Sequence, residues 1–171
     1  NERPDQLHSA MRYSLCDGGK RVRGILLLLC SKIFKASADP LPASVAIECI
    51  HAYSLIHDDL PCMDNDTIRR GKPSTHIKFG ESTAVLAGNS LLTMAFEILS
   101  HKDLNLSEKI KINLINKISE SSGHLGIAGG QFLDLSFEHK KVSKKRIIEM
   151  EIKKTGKLFS FCCVAPLIIK N

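Results

Sequence analysis

An all-α fold is predicted by three features of this sequence. Leu, Ile and Lys are among the commonest residues, and Leu and Lys lean toward helix. Aromatic residues make up only 5% and Trp is absent, which leaves few of the side chains that favour strands. No segment alternates apolar and polar residues with the two-residue period of a half-buried strand, and no internal repeat is visible. With 43% apolar and 25% charged residues among 171, the chain has material for a sizeable core, and general disorder is excluded.

The elements follow in order. A first helix ends at Gly18–Gly19, because paired glycines weaken a helix and open turn conformations. Arg21 to Ala36 reads as a buried helix, with an unbroken apolar run from Gly24 to Cys30. Ala38 to Pro42 carries Asp39 and two prolines and is a loop. Ala43 to Leu60 is the next helix, with an acidic cluster at its C-terminal end, and Asp64 to Gly80 is irregular. A mostly apolar helix runs from Ser82 to Ser100. Ser107 and Glu108 open another, in which Ile110, Leu114, Ile115 and Ile118 recur at helical spacing. Gly123 to Gly130 is rich in glycine, which costs helix stability but permits close helix approach. The final helix begins near Ser143 and runs past Lys157.

The segment 48–76 holds the densest chemistry. Asp58, Asp59, Asp64 and Asp66 are followed at once by Arg69, Arg70 and Lys72. Acids this close repel one another unless cations sit between them. A charge run is usually a solvated loop, but this one follows the apolar stretch Ala46 to Ile56 and contains the helix breaker Pro61. On an unbroken helix Asp58 and Asp64 would point about 120° apart, and a break at Pro61 lets them converge. Carboxylates without Cys or His partners suit a hard ion such as Mg²⁺, which bridges one or two carboxylates to phosphate oxygens. Arg as a planar fork and Lys as a point charge then suit the phosphates themselves. The local chemistry is Mg²⁺-assisted handling of a polyphosphate ester.

Charge and cysteine content narrow the partners. A net charge of +6 is compatible with nucleic acid, an anionic membrane or an anionic small substrate. No zinc-finger spacing or aromatic-interleaved basic patch supports nucleic acid, and the lysines of 140–157 read as a solvated helix face. The six cysteines form no CxxC and no zinc spacing, which points to a reducing, cytoplasmic setting. The run Gly24 to Cys30 is too short to span a bilayer, and no membrane insertion is expected.

Four blocks together resemble the trans-isoprenyl diphosphate synthases, the head-to-tail prenyltransferases that build farnesyl and geranylgeranyl diphosphate. Their first aspartate-rich motif, DDxxxxD, is matched by Asp58, Asp59 and Asp64, with the following RRGKP at Arg69 to Pro73. GGKRVRG, Gly18 to Gly24, resembles the family's GGKRxRP, and GGQFLD (Gly129 to Asp134) and KTGKLF (Lys154 to Phe159) match two further blocks. The blocks stand in family order and cover nearly the whole chain. Gly24 departs from a usual Pro, Thr67 from a frequent acid, and the family's second motif, DDxxD, is absent from these residues. The reading is one polyprenyl synthase domain over 1–171, incomplete at both ends, in a family of about 300 residues per chain.

The resemblance implies a helical bundle with a central cavity, and roles for individual residues. Asp58 and Asp64 would bind Mg²⁺, with Mn²⁺ as an alternative ion, and Asp59 would support them. Arg69 would hold the allylic diphosphate, helped by Lys154 with Thr155 nearby. Lys20, Arg23, His51 and Arg70 match the site for isopentenyl diphosphate. Gln131 and Asp134 would line the cavity wall, with Asp134 on metal-bound water or on Lys154. Tyr53 and Ser54 lie about one helical turn before Asp58, where a bulky ring would floor the cavity and stop the product at C15, farnesyl diphosphate. The implied mechanism is ionisation of the allylic diphosphate, attack by the isopentenyl double bond and loss of a proton, in a chain that is usually a homodimer. The alternatives are a geranylgeranyl diphosphate synthase and a non-catalytic, synthase-like subunit that binds diphosphates.

Overall fold

The computed structural model describes residues 5–170. These residues form nine α-helices, one π-helical turn and one two-stranded hairpin. They are α1 (Asp5–Cys16), α2 (Val22–Phe34), α3 (Leu41–Asp58), β1 (Ile68–Arg69), β2 (Lys72–Pro73), α4 (Thr75–Phe79), α5 (Glu81–Ser100), α6 (Glu108–Ser122), α7 (Ile127–Phe137), α8 (Lys144–Glu151), the π turn Ile152–Gly156 and α9 (Lys157–Lys170). The chain divides into two compact units. One comprises the chain up to Arg21 with Glu48–Glu97, and the other Val22–Ile47 with the chain from Ile98 onward.

In the first unit, Ile50, Ile56, Ala84, Ala87, Leu91 and Ala95 are buried, the alanines and leucine recurring every three or four residues on one face of α5. By length and composition α5 could cross a membrane. That buried stripe, with Glu81 at its start and Glu97 near its end, is the signature of a core helix. Helix α1 packs on α4 through an edge-on contact of Tyr13 with Phe79, ring centroids 5.5 Å apart, with Lys78 over the Tyr13 ring.

In the second unit, α9 packs against α2 and α6 and buries Leu158, Phe161, Ala165 and Ile169 against a core containing Leu27, Leu114 and Ile118. Each fully buried Leu, Ile or Phe contributes about 1.5–3 kcal/mol. Helix α7 lies on the π turn. The contact is made possible by Gly130, where a Cβ would stand 2.2 Å from the backbone nitrogen of Lys154. The close approach expected of the glycine-rich stretch is therefore found, between helices at Gly130, while a Cβ on Gly126 or Gly129 would also collide, with the backbone of Ser121 and His124.

Several elements differ from the sequence expectation, among them α3, which ends at Asp58 and not Leu60, and α4, which lies inside the stretch expected to be irregular. Helix α3 starts at Leu41, inside the expected loop, because Asp39 Oδ1 accepts from the Leu41 amide at 2.9 Å and Pro42 is tolerated in a first turn. Helix α2 ends at Phe34, closed by left-handed Lys35 (φ 53°) and a bond from the Ala36 amide to the Ser31 carbonyl. It is also not buried all round: Val22, Ile25, Leu29 and Ile33 are 49–73% exposed, and only the face carrying Leu27 and Cys30 is covered. The irregular stretch after Asp64 holds the hairpin. Its two-residue loop puts Arg70 (φ 56°) and Gly71 (φ 76°) in left-handed conformations, the pairing a tight hairpin requires. Strands of two residues are too short to alternate. The last helical stretch begins at Lys144 as expected, but its ladder slips by one residue at Ile152–Gly156. The N-cap at Ser107 is as read, its side chain accepting from the Ile110 amide.

Candidate active site

The first unit carries the acidic turn and most of the cations. Helix α3 stops at Asp58, and Pro61 sits in the reversal that follows. The Asp64 amide then donates to the Asp58 carbonyl at 2.9 Å, while Asn65, in a left-handed conformation, donates to the Leu60 carbonyl. The backbone reversal thus brings residues 58 and 64 side by side. Asp58 is half-buried and Asp64 exposed.

Asp59 has a different place. Only 2% exposed, it receives Arg69 through Nε at 2.9 Å and through Nη2, a two-pronged contact. Arg69 Nη2 also reaches Asp66 at 3.0 Å. Burial pushes the Asp59 carboxyl upward against the opposing pull of Arg69, whose own guanidinium is held above its usual value by the bond to Asp59. Two of the four acids therefore neutralise Arg69. Behind them lie buried Ser74 and His76, with 3.1 Å between Ser74 Oγ and His76 Nδ1.

The Arg69–Pro73 hairpin docks on the Gly18–Gly19 turn, fifty-odd residues away in sequence. Arg70 Nη1 donates to the Gly18 carbonyl at 3.1 Å, and a Cβ on Gly19 would collide with the Arg70 guanidinium. Both glycines have positive φ, 99° and 90°, so only glycine suits this turn. Tyr13 Oη donates to the Pro73 carbonyl at 2.8 Å, and Lys72 stands 3.7 Å from Asp17. Lys20 is exposed beside the turn and His51 half-buried on α3. Arg21 Nη1 lies 3.7 Å from Glu48 Oε2.

Tyr53 is buried on α3, its hydroxyl pushed up to about 12 by burial and then by the charge of Asp58. It makes an edge-on contact with His57 at 5.8 Å. Ser54 is buried too, its hydroxyl donating to the His51 carbonyl at 3.0 Å.

The second unit holds the other expected residues. Lys154 and Thr155 sit in the π turn, and Lys154 Nζ donates to Asp134 Oδ2 of α7 at 2.5 Å. Gln131 is buried on α7. Arg23 lies over the Phe159 ring, 4.9 Å from its centroid. A π turn adds one residue to the ladder and re-aims the side chains after it, a device common at functional sites.

No three His, Cys, Asp or Glu side chains form a ready cation cage among the described residues. Asp58 and Asp64, adjacent, oxygen-only and with access to solvent, fit a hard divalent ion that completes its shell with water and phosphate oxygens.

Comparison with known proteins gives these motifs their context. The polyprenyl synthetase family model matches residues 4–171. The chain belongs to the polyprenyl synthetase family. It is 43% identical over 170 residues to the farnesyl diphosphate synthase of Bacillus subtilis, covering 98% of this chain and 57% of that one. Among solved structures, an FPP/GFPP synthase from Zymomonas mobilis matches with a TM-score of 0.93 and 43% identity over 99% of this chain and 63% of its own. A geranyltransferase from Legionella pneumophila matches with a TM-score of 0.93 and 38% identity over all of this chain and 60% of its own. The chain thus spans a little over half the length of these polyprenyl synthetases.

Two features of the site were not anticipated. Glu48 stood in an apolar stretch, where an acid is expensive unless paired, and that signal was available. His76 lies in what read as irregular chain, and nothing in the sequence marked it as buried.

Proposed function

We propose that this chain serves head-to-tail prenyl transfer, joining isopentenyl diphosphate to dimethylallyl or geranyl diphosphate to give farnesyl diphosphate. One observation carries the reading: within one unit, a turn presenting Asp58 and Asp64 is continuous with a hairpin whose Arg70 is locked onto the Gly18–Gly19 turn. Acids for a cation and cations for phosphate are built into one piece of chain.

Asp58 and Asp64 hold Mg²⁺, or Mn²⁺ in its place, and the ion's role is to offset charge on the departing diphosphate. Arg69, fixed by Asp59 through Nε and Nη2, presents its remaining Nη1 to the allylic diphosphate. Lys154, with Thr155 and Gln131, is a diphosphate-binding group of the second unit, and Asp134 holds the Lys154 ammonium until phosphate replaces it. Lys20, Arg70, Arg23 and His51 receive isopentenyl diphosphate. The leaving proton goes to the released diphosphate, since no side chain here is an evident base. Tyr53, with Ser54 beside it, floors the space for the growing tail and sets a C15 limit. The working form is a cytoplasmic homodimer.

A second reading is kept for the test. It is a synthase-like subunit that binds diphosphates without turning them over. The deciding experiment incubates the purified protein with geranyl diphosphate and labelled isopentenyl diphosphate, with and without a chelator. Farnesyl diphosphate formed only with the divalent ion supports the first reading. A C20 product moves the chain to geranylgeranyl synthesis, diphosphate binding without product selects the second reading, and neither binding nor product overturns both. Tyr53→Ala is expected to lengthen the product beyond C15; a product unchanged in length sinks the floor assignment.

A further inference from the structure

We propose that Glu48 is a positioning residue for the isopentenyl diphosphate seat, a fixed anion that holds the arginines of the Gly18–Gly19 turn and the hairpin in one place. The inference rests on the function proposed above. Glu48 is 8% exposed and flanked on α3 by Ala46, Ile47, Cys49 and Ile50, none of them exposed at all. A carboxylate so placed destabilises the fold unless cations face it. Arg21 does so at 3.7 Å, and it does so from a left-handed backbone, φ 50°, that a non-glycine residue rarely adopts. That conformation turns the chain between Gly19 and α2 and fixes the direction in which Lys20 leaves the turn.

Arg70 is the second guanidinium in the same neighbourhood. It lies on the Gly18–Gly19 backbone, and its proton affinity is lowered by burial first and then by the charge of Arg21, with Glu48 acting in the opposite direction. Two guanidinium groups brought together repel each other, and burial adds to the cost. One buried acid beneath them offsets both terms. Glu48 thus keeps two cations where the second diphosphate needs them, without offering any group of its own to the substrate.

The opposite sign is also conceivable on charge alone, since an anion behind a phosphate site repels phosphate. Burial and pairing decide between the effects: Glu48 is 8% exposed and its charge is already offset by Arg21 at 3.7 Å, so loss of the arginine's placement outweighs relief of repulsion.

The test is Glu48→Gln in the complete protein, which keeps size and hydrogen-bonding capacity but removes the charge. KM for isopentenyl diphosphate should rise by about tenfold or more, the scale of a misplaced binding group, while kcat and KM for geranyl diphosphate change little. Glu48→Asp should recover part of the loss. If Glu48→Gln does not fold, Arg21→Gln should show the same selective rise. In the double variant the losses should not add, because both changes break one contact. An unchanged or lowered KM for isopentenyl diphosphate overturns the proposal, and so does an equal rise in both KM values without rescue by Asp. If the parent protein binds inorganic pyrophosphate but turns nothing over, the same variants are read by pyrophosphate affinity. A parent that binds no diphosphate overturns the function itself, and this inference with it.

Discussion

The acidic turn and the π turn hold a cation by opposite means. In the acidic turn, the side chain of Asp59 is 3% exposed and grips Arg69 with two prongs, so charge pairing fixes the geometry. In the π turn, Asp134 meets Lys154 with its side chain 39% exposed, and the backbone is fixed instead by the fit of Gly130 against residues 153 and 154. A pair with one buried partner is committed, because Asp59 cannot regain water without disrupting the turn. An exposed pair is exchangeable, because solvent or a phosphate can replace either partner at small cost. The first arrangement suits a residue that must keep its place through a reaction cycle, the second a residue that must let go.

The largest effect is expected where backbone meets backbone. In Gly130→Ala the new methyl would lie 2.2 Å from the Lys154 nitrogen and 2.5 Å from its Cα, and no side chain can move aside to make room. The loss should be about 3 kcal/mol, at the upper end for overpacking, and visible as a lower urea midpoint. Asp59→Ala should follow at about 2 kcal/mol. That is below the ~3–5 kcal/mol of a fully buried broken pair, because the Arg69 side chain is 35% exposed and keeps Asp66. If Asp59→Ala were as stable as the parent while Gly130→Ala unfolded, charge would have no part in fixing the acidic turn.

Asp134→Asn separates the two regions most cleanly. Stability should change by less than about 1 kcal/mol, since both side chains keep contact with solvent, Asp134 at 39% and Lys154 at 26% exposed. Diphosphate affinity should change instead, because Lys154 loses the group that holds it ready. A stability loss as large as that of Asp59→Ala would make the two pairs alike and erase the distinction.

How much of this was legible depends on the length scale of the cause. The all-α architecture, the N-cap at Ser107 and the break at Pro61 follow from composition, periodicity and single residues of strong local preference. The glycine-rich stretch announced a close approach, though not that Gly130 and Lys154 were the parties. The hairpin at Ile68–Pro73 was hidden because two-residue strands carry no alternation, and its loop uses Arg70 where Asn or Gly would have signalled the turn. The π turn was hidden because Gly156 weakens a helix without saying whether the ladder breaks, kinks or slips by a residue. The exposed stripe of α2 was unreadable for another reason: hydrophobicity tells which faces could be buried, whereas the surfaces available to cover them are a tertiary fact. The pairing of Arg69 with Asp59 was likewise concealed, since four acids and two arginines allow many pairings and burial alone selects among them.

The smallest effect concerns Glu120, which extends the comparison to a carboxylate 38% exposed and shared by two lysines. Its carboxylate accepts from Lys117 of the same helix at 3.0 Å and from Lys157 of α9 at 3.1 Å. These hydrogen bonds hold the carboxyl below its ordinary value of 4.5. A depressed acid contributes stability that is present above the unfolded value and disappears as pH falls through the folded one. Glu120→Gln should therefore leave the urea midpoint almost unchanged near neutral pH, where solvent already screens the pair. Whatever small difference exists there should vanish on the acid side of 4.5, where the parent carboxylate is itself protonated. Raising the salt at neutral pH should shrink the difference in the same way, whereas the deficit of Asp59→Ala should largely persist in salt because its carboxylate is buried away from solvent ions. Salt dependence at Asp59 equal to that at Glu120 would place both pairs at the surface and remove the basis for treating Arg69 as fixed.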